Sequence, residues 1–143
     1  MKYAVSACLV GINCKYNGKN SKNNKLLTFL KNQDYITICP EVVGGLPTPR
    51  ACSEIQNNQV VNTDGKDVTK EFYLGAQKEL ERVIEAKVDL VLVQPRSPSC
   101  GCGKVYDGTF SNILIDGDGI FVKMCKNKGI DVQNCDDFLE KLK

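Results

Sequence analysis

Apolar residues in this chain fall in short β-prone runs that alternate with stretches of helical spacing. Residues 2–7, KYAVSA, read as a first strand, and residues 35–38, YITI, as a second that stops at Cys39-Pro40. Between them, residues 25–31 carry Leu26, Leu27, Phe29 and Leu30 in a short helix. Two glycines and two prolines make residues 44–49, GGLPTP, a stiff loop. Residues 60–62 read as a third strand. The clearest helix covers residues 69–87, where Phe72, Ala76, Leu80, Val83, Ile84 and Lys87 share one face. Asp67 or Thr69 can cap its start. Residues 88–93, VDLVLV, follow at once, with the near-continuous apolar pattern of a strand buried on both faces of a parallel sheet. Pro95 and Pro98 bracket the next loop. Residues 106–115 predict a hairpin or an irregular excursion, and residues 119–127 a helix closed by Gly129. Residues 130–132 predict a last strand and residues 136–143 a terminal helix.

Strands alternating with helices predict an α/β fold, a three-layer, Rossmann-like, mostly parallel sheet flanked by helices and joined by right-handed crossovers. At 143 residues the chain has the length of one domain, so residues 1–143 read as a single α/β domain carrying a cysteine-ligated site. In such sheets ligands bind beyond the carboxyl ends of the strands. Three cysteines fall there: Cys8 after the first strand, Cys39 after the second, and Cys100 a few residues past the 88–93 run. With parallel strands, their thiols meet on one sheet edge, assembled by the fold rather than by short spacing.

Composition narrows the chemistry. No apolar run approaches the roughly 18 residues of a membrane span. The apolar stretch at the start is too short and too early for a signal peptide, so a cytoplasmic location is expected. Eight cysteines in a reducing compartment point to metal binding or catalysis. Cys125, beside Ile120, Phe121 and Met124, and Cys135 read instead as core thiols. A net charge of +2, from 19 basic and 17 acidic residues, is too balanced for a stable nucleic-acid partner. The chain has no histidine, which excludes a Ser-His-Asp triad, a Cys-His dyad and imidazole-bound zinc or haem. A closed zinc site would need four ligands, the fourth from Cys102 or Cys14. Soft thiolates also select iron–sulfur clusters, and a cubane on three cysteines leaves one iron open as a Lewis acid.

Other groups surround these positions. Glu41, two residues after Cys39, is the acid–base candidate. Ser97 and Ser99 flank Pro98 and can contact substrate or cap the turn. Arg50 and Arg96, two of the three arginines, can hold a planar anion or a pyrimidine carbonyl, or pair with nearby carboxylates. In Cys100-Gly101-Cys102-Gly103 the glycines let backbone approach a cluster and offer it N–H groups.

Taken in order, Ser6-Ala7-Cys8-Leu9, Tyr16-Asn17-Gly18, Cys39-Pro40-Glu41-Val42, Gly45-Leu46-Pro47-Thr48-Pro49-Arg50, Asp67-Val68-Thr69 and Ser97-Pro98-Ser99-Cys100-Gly101 resemble the thiouracil desulfidase family over nearly the whole chain. The resemblance implies a compact α/β domain with a 4Fe-4S cluster on Cys8, Cys39 and Cys100. It implies non-redox removal of sulfur from thiolated uracils, giving uracil and sulfide. Glu41 and Ser97 then look like the acid–base and substrate-contacting groups, with Ser99 and Arg50 as substrate-binding residues. The partner is a small thiolated pyrimidine, with neither a membrane nor a stable nucleic-acid partner expected. Cys14 and Cys52 stand outside the family pattern. The rival reading is a non-catalytic iron–sulfur or zinc protein, a redox sensor or partner-binding module. An open coordination site facing a pocket separates the enzyme from that rival.

Overall fold

The computed structural model describes residues 1–142. β1 (Lys2–Ser6) runs through a one-turn 3-10 helix (Ala7–Val10) toward α1 (Asn24–Leu30) and β2 (Asp34–Ile38). Next come α2 (Pro40–Val43), a hairpin of β3 (Ser53–Gln56) and β4 (Gln59–Asn62), α3 (Thr69–Glu85) and β5 (Leu90–Val93). A second hairpin, β6 (Lys104–Tyr106) and β7 (Leu114–Asp116), precedes α4 (Ile120–Asn127), β8 (Val132–Asn134) and α5 (Cys135–Lys141). Lys143, expected to end the terminal helix, lies outside the described residues. Among those described, no helix is long and apolar enough to cross a membrane.

The central sheet is parallel throughout, in the order β2-β1-β5-β8. Alternation along the strands divides side chains between two cores. Ala4, Val91 and Val93 pack with Phe72, Ala76 and Val83 of α3 and Phe121 and Val122 of α4. Tyr3, Val5, Leu90 and Leu92 pack on the opposite face with Leu26 and Leu30 of α1 and Phe138 of α5. Every residue of β5 is buried, as its apolar run requires in the middle of a doubly covered sheet. Cys125 and Cys135 are fully buried in these two cores.

Three local expectations shift. Residues 60–62 do form a strand, but it pairs antiparallel with β3 outside the main sheet. Asn57 and Asn58, both at positive φ, close that two-residue turn. The α3 N-cap is Val68, which has no side-chain acceptor; Asp67 Oδ1 instead takes the Thr69 N–H at 2.9 Å. Thr69 Oγ1 in turn accepts the Val60 N–H at 2.8 Å and ties the helix start to β4. The last strand begins at Val132 because Gly129 and Ile130 still donate to the end of α4, to Lys126 O and Cys125 O.

One contact fixes α2 against α3. A Cβ added to Gly75 would lie 1.7 Å from Pro40 O, and one added to Gly44 would lie 2.0 Å from Glu71 O. Only hydrogen fits at either place, so α2 rests on α3 backbone to backbone.

Candidate active site

Because β1, β2 and β5 are parallel neighbours, the segments leaving their carboxyl ends open on one edge. Cys8 sits in the 3-10 turn after β1, Cys39 directly after β2, and Cys100 in the loop after β5. All three line a single cavity of about 290 Å³. Glu41, Arg50, Ser97 and Ser99 line it too, as does Arg96, held in left-handed backbone at φ 73°. Cys102 is absent from that lining; its Sγ points to Val132 O at 3.8 Å.

The loop bearing Cys100 is pinned by α4. The carbonyls of Pro98 and Ser99 accept the Ile120 and Phe121 N–H groups at 2.8 and 3.1 Å, satisfying donors at the start of that helix. Ser97 Oγ accepts the Cys100 N–H at 2.7 Å. The Gly101 N–H goes to Ser97 O at 2.8 Å, and a Cβ there would crowd the same oxygen at 2.7 Å. Gly101 thus serves the loop's fold on itself, where the sequence suggested an N–H offered to a cluster.

Glu41 is held from both sides. Arg50 Nε donates to its Oε1 at 3.2 Å, with Nη2 3.1 Å from the same oxygen. Ser99 Oγ donates to its Oε2 at 2.7 Å. With the Ser99 proton on Glu41, the 3.3 Å contact between the two hydroxyls makes Ser97 the donor to Ser99. A chain of exchangeable protons therefore runs from Ser97 through Ser99 to the carboxylate. Arg50 takes up the carboxylate pairing, one of the two tasks its sequence offered. Further donors are turned onto Pro47 O, Thr48 Oγ1 and Cys14 O, so the guanidinium anchors Glu41 and the Cys14 segment.

Three of the cavity thiols, Cys14, Cys39 and Cys100, hold their protons more tightly than a free thiol. Burial pushes Cys100 up to about 12, against lowering contacts from Ser6 and Ser99. Cys39 is driven far above the ordinary thiol range by its hydrogen bond with Cys14 and then by burial. Contact with Cys39 lowers Cys14, yet contact with Cys8 and burial outweigh it and carry that thiol up to about 11. A cationic group that takes thiolates displaces such protons as it binds. Among the described residues, no three His, Cys, Asp or Glu side chains close around a single ion. Three thiols lining one cavity could hold a polynuclear cluster, whereas a structural zinc needs four donors on one point. The soft, all-thiol donor set of Cys8, Cys39 and Cys100 on one cavity therefore suits such a cluster.

Two hairpins complete the cavity. Glu54 of β3 is buried and accepts the Gly108 and Phe110 N–H groups at 2.9 and 3.2 Å. Gln56 Nε2 donates to Gly108 O at 2.7 Å. Ser53 and Glu54 from one hairpin, with Tyr106 and Asn112 from the other, face the same space.

Two neighbours of the cysteines complete the picture: Cys14, which the sequence offered only as an alternative fourth ligand, and Glu79, which sequence reasoning missed. Cys14 is buried, lines the cavity, and touches both Cys8 and Cys39. It carries no short-range signal, because its partners lie on other strand ends. Glu79 of α3 accepts the Cys39 N–H at 2.8 Å. Its signal was present as an acidic residue inside the apolar face marked by Phe72, Ala76, Leu80 and Val83.

A family model for 2-thiouracil desulfurase matches residues 4–137. The protein YbbK of Bacillus subtilis (strain 168), described as uncharacterized, is 36% identical over 135 residues, covering 87% of this chain and 89% of its own length. The solved structure of the [4Fe-4S]-dependent thiouracil desulfidase TudS superposes with a TM-score of 0.91 at 37% identity, covering 97% of this chain and 93% of that one.

Proposed function

This chain belongs to the 2-thiouracil desulfurase family, and we propose from that membership that it removes sulfur from thiolated uracils or related thio-nucleobases by iron–sulfur-dependent, non-redox hydrolysis of the C–S bond. The observation that carries the reading is the meeting of Cys8, Cys39 and Cys100 with Glu41 on one cavity at the carboxyl edge of the sheet. Cys8, Cys39 and Cys100 would hold a 4Fe-4S cluster, which supplies a soft Lewis acid suited to a thiocarbonyl sulfur in preference to a carbonyl oxygen. Water replaces sulfur at the ring carbon, so thiouracil and water become uracil and hydrogen sulfide.

The chain's own residues handle the proton. Arg50 and Ser99 fix both oxygens of Glu41, leaving the carboxylate oriented at the cavity surface. It takes a proton from the attacking water, and the Ser97–Ser99 hydroxyl pair can pass one on or return it to the leaving group. Ser97 also holds the Cys100 N–H, so it couples the proton chain to a cluster ligand. The substrate is a small thiolated pyrimidine, and a reducing compartment such as the cytoplasm keeps the thiols available.

Anaerobic purification followed by iron and acid-labile sulfide analysis, then a sulfide-release assay on 2-thiouracil and other thiolated pyrimidines, tests the proposal. Glu41→Gln should retain iron and lose about 10²–10⁴ in rate. A cluster-loaded protein that releases no sulfide from any of them would instead favour a sensor.

A further inference from the structure

Glu79 is the one acidic side chain among the described residues with no exposed surface at all. It sits on α3, forty positions from Cys39 in the chain. Its Oε2 accepts the Cys39 N–H at 2.8 Å, and its Oε1 accepts Arg82 Nη1 at 2.7 Å. Arg82 also donates to Thr37 O at 3.1 Å, one residue short of the end of β2, and about half of its side chain faces solvent. A buried carboxylate persists only where such partners replace its water. Here one of those partners is the backbone of a proposed cluster ligand.

We propose that Glu79 is a positioning residue that holds Cys39 in its ligating geometry and keeps the bound cluster resistant to reduction. The inference rests on Cys39 being a ligand. Two effects act with the same sign. Backbone N–H groups beside a ligating sulfur stabilise an added electron when they donate to the cluster. The Cys39 N–H is spent on Glu79 and cannot do so. The carboxylate also places a negative charge against a nitrogen only three bonds from Cys39 Sγ. Reduction would add a second negative charge beside it, in surroundings that screen poorly. Arg82 compensates only in part, because its guanidinium lies on the solvent side of the carboxylate. A desulfuration that exchanges no electrons needs a cluster that stays oxidised and Lewis-acidic, and this charge serves that need.

The test uses full-length protein loaded with cluster anaerobically: wild type, Glu79→Gln, and the double variant Glu79→Gln/Arg82→Gln. The double variant removes both charges, so no buried ion is left unpaired if the single variant folds poorly. Iron and sulfide content are measured first. Midpoint potential is then read by mediated dithionite titration, followed by visible absorbance and electron paramagnetic resonance. Both variants should carry the wild-type complement of iron and titrate at more positive potential, the single variant further than the double. Variants with full clusters that titrate with wild type, or below it, overturn the role given to Glu79. A wild-type chain that binds no iron removes the ligand reading itself, which the iron analysis reports before any potential is measured.

Discussion

Replacing Arg50 with methionine isolates the clamp on Glu41. The guanidinium reaches Glu41 Oε1, Pro47 O, Thr48 Oγ1 and Cys14 O. Its side chain is 7% exposed and that of Glu41 14%. Methionine fills much of the same volume and donates nothing, so Glu41 keeps only the Ser99 hydroxyl. Breaking a buried pair from one side costs about 3–5 kcal/mol. Water at the cavity surface lowers that toward about 3 kcal/mol. A domain of this size unfolds with roughly 5–15 kcal/mol, so Arg50→Met should fold. At about 2–4 °C per kcal/mol, its midpoint should fall by about 10 °C. Far-UV circular dichroism of the metal-free protein at pH 7 reads this directly. Combined with Glu41→Gln, the loss should be smaller than the sum of the single losses by about 1–3 kcal/mol, since each single variant strands the other's charge. In cluster-loaded protein, sulfide release should drop about 10²-fold with iron retained, because Glu41 loses its fixed orientation. A midpoint within about 2 °C of wild type, or additive losses, would refute the clamp.

Cys8→Ser, Cys39→Ser and Cys100→Ser should each abolish the brown colour of anaerobic protein, while Cys125→Ser and Cys135→Ser should keep it, as visible absorbance and iron content will show. Gly75→Ala drives a methyl into Pro40 O; it should cost at least about 1–3 kcal/mol and reduce iron uptake by displacing α2, measured by chemical denaturation and iron analysis. Burial pushes the Cys125 thiol up to about 12. The unfolded chain gives up that proton near pH 9 and the folded chain keeps it, so this thiol makes stability fall as pH rises from about 9 to about 12. Cys125→Ala should flatten the decline by up to about 1.4 kcal/mol per pH unit in urea titrations of metal-free protein, and identical slopes would count against it.

What could be read from sequence followed from periodicity and from position relative to strand ends. The VDLVLV run identified a doubly covered strand, and β5 is central and buried throughout. The parallel order then carried Cys8, Cys39 and Cys100 to one edge, although no short motif joins them. α2 and β3 were not legible, because four residues give neither helix nor strand a distinguishable period. Glu79 was missed, and Cys14 was offered only as an alternative ligand, for a different reason: each acts through a partner distant in sequence, and only the folded chain reveals the pairing. Arg50 was seen as a cation near the site, but its geometry decides its task. Four hydrogen bonds to acceptors inside the protein make an anchor of it, and a charge count along the chain cannot distinguish that from a substrate clamp.

The two hairpins joined through Glu54 and Gln56 bear on how this architecture can diversify. The cysteines and Glu41 stand on a floor formed by the sheet edge and α2, whereas Ser53, Glu54, Tyr106 and Asn112 form a side wall belonging to neither the sheet nor its covering helices. Three hydrogen bonds join the wall's two halves to each other, at Gly108 N, Phe110 N and Gly108 O. Lengthening the hairpin tips or exchanging the facing side chains would reshape the chamber for a bulkier or differently charged ring and leave every thiol where the sheet puts it. In the proposed site, selectivity and reactivity would then be carried by separate pieces of chain, so that rebuilding the wall alone would fit the chamber to a new substrate.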